Sequence, residues 1–203
     1  MQEIFTIEQP SKKEQILKAS LDIFSKKGFP QATMREIAKK ADVSLGLIYF
    51  YFKSKDEILK EIFNRINSAF PKEEIDNSNN MPPKEFIRAF CESHFRFMSR
   101  NFKHFMLLLT ESMDNTKLGE FLFINGMQKG VEDIGKILQD YQNKSKIRKM
   151  NNEFMTYTLL NTIFMFVIFK EGPFKKFLKD KSYEEYAEHL SDVLLNGILP
   201  KAE

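Results

Sequence analysis

Helix-start signals crowd residues 33 to 57 so closely that the stretch can only fold as short helices joined by tight turns. Thr33-Met34-Arg35-Glu36 is a capping box: the threonine hydroxyl accepts from the backbone N–H three residues on, and the glutamate reaches back to the cap. It opens a helix whose buried face is Ile37, Ala38 and Ala41, with alanines small enough to let another helix come close. Ala41-Asp42-Val43-Ser44 leaves room only for a tight turn, after which Ser44 caps a second short helix from Leu45 to about Phe50. Ser54-Lys55-Asp56-Glu57 then opens a longer helix through Ile58, Leu59, Ile62, Phe63 and Ile66. Upstream, Ser11 and Glu14 make a further box ahead of the stripe Ile16, Leu17, Leu21 and Phe24. Lys26 and Lys27 suit that helix's negative end, Gly28 offers a left-handed exit, and Pro30 prevents continuation.

A short helix, a tight turn and a second short helix make a helix-turn-helix, whose second helix matches a DNA major groove about 12 Å wide. Charge points the same way. Residues 11–65 hold 12 Lys/Arg against 7 Asp/Glu, a net +5, whereas the rest of the chain is at −2. A ligand-free helical bundle with a lysine-rich solvated face is the competing reading; short helices joined by tight turns, together with the charge, favour DNA over it without closing the alternative.

The stretch Ile16 to Leu59, above all TMREIAKKADVSLGLIYFYFKSKDEIL, resembles the N-terminal domain of the TetR family of bacterial transcriptional regulators. The resemblance rests on Ile37-Ala38, Ala41, Val43-Ser44, Gly46, Tyr49, Tyr51-Phe52 and Lys53-Ser54-Lys55, followed by acidic residues and Ile58-Leu59. One departure is Asp42, where the family usually has glycine; aspartate tolerates a left-handed backbone better than most residues. By this resemblance Ser44, Leu45 and Gly46 begin the recognition helix at the groove, with Gly46 allowing close backbone approach. Tyr49 and Tyr51 contact phosphates or base edges, Lys55 binds phosphate at a helix start, and Thr33 sets a second helix start against the DNA backbone. Tyr49 and Tyr51 also read as packing aromatics with exposed hydroxyls, and Thr33 is a cap in either case. Ile37, Val43, Ile48 and Phe52 are core. The recognition helix lacks Arg, Asn and Gln from Leu45 to Phe50, which leaves specificity to Leu45, Leu47 and DNA shape.

The fold expected is all-α. A three-helix DNA-binding domain occupies 1–56, a helix from about 55 to 70 connects, and a helical ligand-binding and dimerisation domain occupies 71–203. Composition agrees: Gly (8) and Pro (7) are scarce, Phe reaches 21 without any Trp, and apolar residues recur at helical spacing. Pro71 and then Asp76–Pro83 read as a linker. A helix follows from Lys84 with apolar residues on two faces, a bend at Arg100-Asn101, a continuation through Leu109, and a loop at Asp114–Lys117. Further helices are expected at about Leu118–Tyr141, at Asn152–Lys170, and after the capping box Ser182–Glu185. The run Leu159–Phe169 is too short to cross a bilayer, yet apolar nearly all round, which calls for a partner surface.

The resemblance implies a homodimer built on the last two long helices, with Phe164, Ile168, Leu190 and Leu194 at the interface. It also implies a pocket, for which Phe90, His94, Phe95, Met98, Phe105, Glu111 and Phe121 are candidates; a solid core is the competing reading. Cys91-x-x-His94 has one-turn spacing but no further ligands, so neither metal nor cofactor is expected. The single cysteine suits a reducing compartment and the start reads without a signal peptide, so a cytoplasmic protein is expected. No paired carboxylates, nucleophile motif or phosphate loop supports an enzyme. The function implied is a regulator, mostly a repressor in this family, released from a palindromic operator by a small, largely apolar effector. The alternative is an architectural DNA-binding protein that takes no ligand.

Overall fold

The computed structural model describes residues 10–113 and 116–197, all helix and loop, with no strand among the described residues. The chain forms two compact units, one of residues up to Phe70 together with Lys103–Gly126, the other of Pro71–Phe102 with Met127 onward.

The first unit begins with α1 (Lys12–Lys27), α2 (Met34–Lys40), α3 (Leu45–Tyr51) and α4 (Lys55–Ser68). Their apolar stripes meet in an aliphatic core in which Ile16, Leu17, Ile37, Ile48, Ile58, Leu59 and Ile62 are wholly inaccessible. Each such side chain gains about 1.5–3 kcal/mol from burial. The caps stand where the sequence predicts. Thr33 and Glu36 form the complete box, while Ser44 accepts from the Leu47 N–H at 3.1 Å and Ser54 from that of Glu57 at 3.3 Å. Ser11 also caps, but Glu14 does not reach back. Its carboxylate turns inward to the Arg65 guanidinium at 2.5 Å, where a nearly buried charge needs an opposite charge more than a solvent-accessible N–H needs an acceptor. Gly28 leaves α1 at φ 86°, and Asp42 occupies the left-handed region at φ 52°, as its place in the turn requires.

The same unit contains α7 (Phe102–Ser112) from Lys103 on, and α8 (Lys117–Phe123). Phe121 of α8 meets Phe63 of α4 edge to face, centroids 5.7 Å apart. Where one unbroken helix is expected from Leu118 to Tyr141, a π-helical turn over Ile124–Gln128 intervenes. That turn sets Gly126 against the Phe63 ring, where a Cβ would sit only 3.2 Å away, and Asn67 donates to the Asn125 carbonyl at 3.3 Å. Of the loop expected at Asp114–Lys117, residues 114 and 115 lie outside the described residues, and α8 already begins at Lys117.

In the second unit the expected linker is partly helical: α5 (Glu73–Asn77) runs into a 3-10 turn, Ser78–Asn80. Its order comes from far along the chain. The Tyr141 hydroxyl donates to the carbonyls of Ser78 and Met81, at 2.8 and 3.2 Å. The remaining elements are α6 (Pro83–Arg100), α9 (Lys129–Asn143), α10 (Asn152–Glu171), the single turn α11 (Lys175–Leu178) and α12 (Tyr183–Asn196). α6 packs on both α10 and α12. The core here is aromatic: Phe166 stacks on Tyr186 at 3.5 Å, and Phe95 lies among Phe166, Tyr183 and Tyr186. Although Leu159–Phe169 is short, the whole of α10 is long and apolar enough to cross a membrane; a third of it is buried within the unit, and it packs on α6 and α9.

His94 is buried in this core, its Nδ1–H donating to the Phe90 carbonyl at 2.8 Å and its ring 3.8 Å from that of Phe90. Burial pushes its pKa down to about 4, so the ring is neutral. The unfolded chain, with an ordinary histidine, therefore binds more protons between those values. The contribution of neutral His94 is complete above about pH 6.5 and declines towards pH 4, by about 3 kcal/mol at most. The urea midpoint should fall between pH 7.5 and pH 5, above the range in which carboxylates titrate. His94→Asn, which keeps a donor for the Phe90 carbonyl, should remove the share of that slope that belongs to His94 and leave that of His104, whose pKa burial also lowers.

Candidate nucleic-acid interface

The turn Ala41–Ser44 and the caps at Ser44 and Ser54 present α3 by its outer face. Its one fully buried residue is Ile48, and Phe52 just beyond its end is buried too. Turned outward are Gly46, Tyr49, Phe50 and Tyr51, with Leu45 and Leu47 half-buried on the flanks. Of the large apolar residues described, Phe50 is the most exposed, at 79%. Gly46 has ordinary helical backbone, and a Cβ there would meet only the Ser44 hydroxyl, at 3.9 Å. Nothing inside the protein therefore requires a glycine at this position.

The other DNA-facing candidates divide. Ser44 is exposed and its hydroxyl caps α3. Thr33 is exposed at the start of α2, but both its hydroxyl and its backbone N–H are engaged with Glu36. The Glu36 carboxyl is held below the ordinary range by Lys27 and by Thr33 itself. Lys55 is engaged within its own unit. Its ammonium donates to the carbonyls of Phe29 and Pro30 at 2.8 Å and of Ala32 at 3.5 Å, and lies 4.7 Å from the Phe29 ring centre. It clasps the loop between α1 and α2. Two further exposed cations, Arg35 and Lys53, flank the starts of α2 and α4. Their signal was available, since each sits inside or beside a capping box.

The pocket candidates are not all in one unit. Phe105, Glu111 and Phe121 belong to the first and are half-buried. Phe90, His94, Phe95 and Met98 belong to the second, where Phe95 is wholly inaccessible and the others nearly so. A shallow surface cleft of that unit is lined instead by other residues, among them Pro82, Lys146, Arg148, Met155 and Leu194. Of the interface candidates, Leu190 is buried on the face of α12 that packs on α6, while Phe164, Ile168 and Leu194 are half-buried. The exposed apolar stripe of α10 is Phe154, Tyr157, Met165 and Phe169; on α12 Val193 is also exposed.

Residues 16–62 match the sequence profile described as bacterial regulatory proteins, tetR family. The chain is 31% identical over 117 residues to the HTH-type transcriptional regulator YerO of Bacillus subtilis, a match covering 55% of this chain and 40% of YerO. It is 29% identical over 98 residues to the fatty acid metabolism regulator protein of the same organism, covering 48% and 50%. With the HTH-type transcriptional repressor KstR of Mycolicibacterium smegmatis it shares 30% over 135 residues, covering 64% and 60%. The chain thus spans about half the length of the curated relatives it matches. Among solved structures, FadR of Bacillus subtilis in complex with stearoyl-CoA aligns at TM-score 0.75 and 19% identity over 91% of this chain and 98% of that one. PfmR of Thermus thermophilus, a TetR family transcriptional regulator, aligns at 0.74 and 20% over 95% and 100%. At these identities the likeness shows the fold.

Gly46→Ala should retain full helical circular dichroism and raise unfolding stability by about 0.5–1 kcal/mol, because alanine is the better helix former and space is free. A loss of stability in urea titration would mean that the glycine serves internal packing.

Proposed function

The chain belongs to the TetR family of bacterial regulatory proteins, and on that premise we propose that it binds a palindromic operator as a homodimer in the cytoplasm and represses transcription until a largely apolar effector releases it. The family is one of regulators, not of enzymes. The observation that carries the DNA-binding reading is the outer face of α3: bare at Gly46, where the unit needs no glycine, and aromatic and exposed from Tyr49 to Tyr51. Tyr49 and Tyr51 supply hydroxyls for phosphate or base edges, while Arg35 and Lys53 add charge beside two helix starts. Lys55 acts as a positioning residue, holding the loop that leads into the Thr33 cap.

One seven-residue helix makes few contacts, and a twofold pair reading half-sites a helical turn or a multiple apart multiplies them. The surface suited to pairing is the stripe Phe154, Tyr157, Met165 and Phe169 with Val193, flanked by Phe164, Ile168 and Leu194. A row of apolar residues standing in water on one helix face is what a helix–helix interface buries. Acyl chains are the effector class supported by the stearoyl-CoA bound to Bacillus subtilis FadR and by the relative named for fatty acid metabolism. One observation favours the ligand-free architectural reading: the four pocket candidates of the second unit are close-packed, with Phe95 wholly inaccessible.

Gel-shift titration against palindromic duplexes from the upstream region tests DNA binding. Affinity should fall by about 10³-fold or more between 50 and 200 mM salt if six or more phosphates are neutralised. Absent or salt-independent binding overturns the reading. Gly46→Ala should weaken the complex tenfold or more while the protein stays folded. Tyr157→Asp with Met165→Lys should turn a sedimenting dimer into a monomer. Release of the duplex by long-chain acyl-CoA supports the effector; a complex unmoved by acyl-CoA or free fatty acid supports the architectural alternative.

A further inference from the structure

The outer face of α3 is apolar or aromatic from end to end. Between Leu45 and Phe52 no side chain carries an amide, guanidinium, ammonium or carboxylate group. The bidentate pairings by which Arg reads guanine and Asn or Gln reads adenine are closed to such a helix. A major groove offers one apolar feature that differs between base pairs, the C5-methyl group of thymine. Phe50 is the side chain shaped to meet it. It stands 79% exposed, and its ring meets that of Tyr51 edge-on, centroids 5.2 Å apart. It sits one turn beyond Gly46, where a Cβ would find open space apart from the Ser44 hydroxyl at 3.9 Å. A bare position and a projecting ring on the same face of one turn let the helix come close to a groove floor and set the ring against the base edges.

We propose that Phe50 is the specificity-determining residue of α3 and that it reads thymine C5-methyl groups in each half-site, flanked by Leu45 and Leu47. This rests on the DNA-binding reading above. The ring donates and accepts no hydrogen bond, so selection comes from burying the methyl group. Thymine is favoured over cytosine, which lacks it, and the preferred half-site carries thymine where the ring lands.

The test uses the whole chain and a duplex selected by it from a random-sequence pool. Each half-site thymine is replaced in turn by deoxyuridine, which deletes the methyl group and leaves base pairing and the groove's hydrogen-bonding pattern intact. At one or two positions the replacement should weaken binding about fourfold per methyl, the effect of one buried methyl-sized group. At the same positions cytosine should weaken binding, and 5-methylcytosine should recover part of the loss. Phe50→Ala, whose lost side chain is mostly in solvent, should stay folded, bind the duplex more weakly and no longer distinguish thymine from uracil. Equal affinity for thymine and uracil duplexes at every position, with binding itself intact, overturns the role of Phe50. Failure to recover any duplex from the pool overturns the DNA-binding reading instead.

Discussion

Helices of seven residues do not hold together in water, because the unfavourable nucleus is never repaid by so few backbone hydrogen bonds. α2 and α3 each have that length, and they exist because Ile37 and Ile48 are driven into a core with Ile16, Leu17, Ile58, Leu59 and Ile62. Everything proposed for the outer face of α3 depends on this inner one. Only a helix anchored by its buried side can leave Tyr49, Phe50 and Tyr51 in solvent without collapsing around them. The Glu14–Arg65 pair at 2.5 Å and the Lys55 clasp on the loop after α1 fix how the flanking helices frame that face. Both are charges taken partly out of water and matched there, so removing one partner costs more than the pair contributes.

The second unit is held by a different chemistry. Its core is aromatic, and rings impose directional contacts that aliphatic side chains do not. Phe95 lies among Phe166, Tyr183 and Tyr186, and neutral His94 shares the core through its bond to the Phe90 carbonyl. Cys91 is buried beside them, its thiol pushed upward by desolvation, so it behaves as a small apolar filler. α10 explains why one helix can resemble a membrane span and a core element together. A third of it is buried within the unit, and its remaining apolar stripe stays largely exposed, with Phe169 edge-on to Phe174 at 5.1 Å.

Local signals carried the first unit well. Capping serines and threonines, the glycine exit at Gly28 and the left-handed Asp42 act over a few residues, so each could be read from its neighbours. Signals failed where a distant group competes. Glu14 has the right spacing for a capping box, yet Arg65, 51 positions away, takes its carboxylate. The Asp76–Pro83 segment is polar and proline-bounded like a linker, yet the Tyr141 hydroxyl orders part of it as a 3-10 turn. The π-helical turn is invisible in the Leu118–Tyr141 pattern, and it places Gly126 where Phe63 leaves no room for a side chain.

The sequence by itself determined the helical class, the caps at Ser11, Thr33, Ser44, Ser54 and Ser182, the stripes that α1 to α4 bury, and the lack of Arg, Asn and Gln from Leu45 to Phe50. These follow from spacing and side-chain chemistry within a turn or two. Only the tertiary structure decided that Lys103–Gly126 joins the N-terminal unit, that Lys55 spends its ammonium on carbonyls, and that Phe50 and the stripe Phe154, Tyr157, Met165 and Phe169 face solvent while Leu190 does not. The physical reason is common to all of these. Whether an apolar or charged side chain is buried, paired or exposed depends on which neighbours the folded chain brings to it from far along its length.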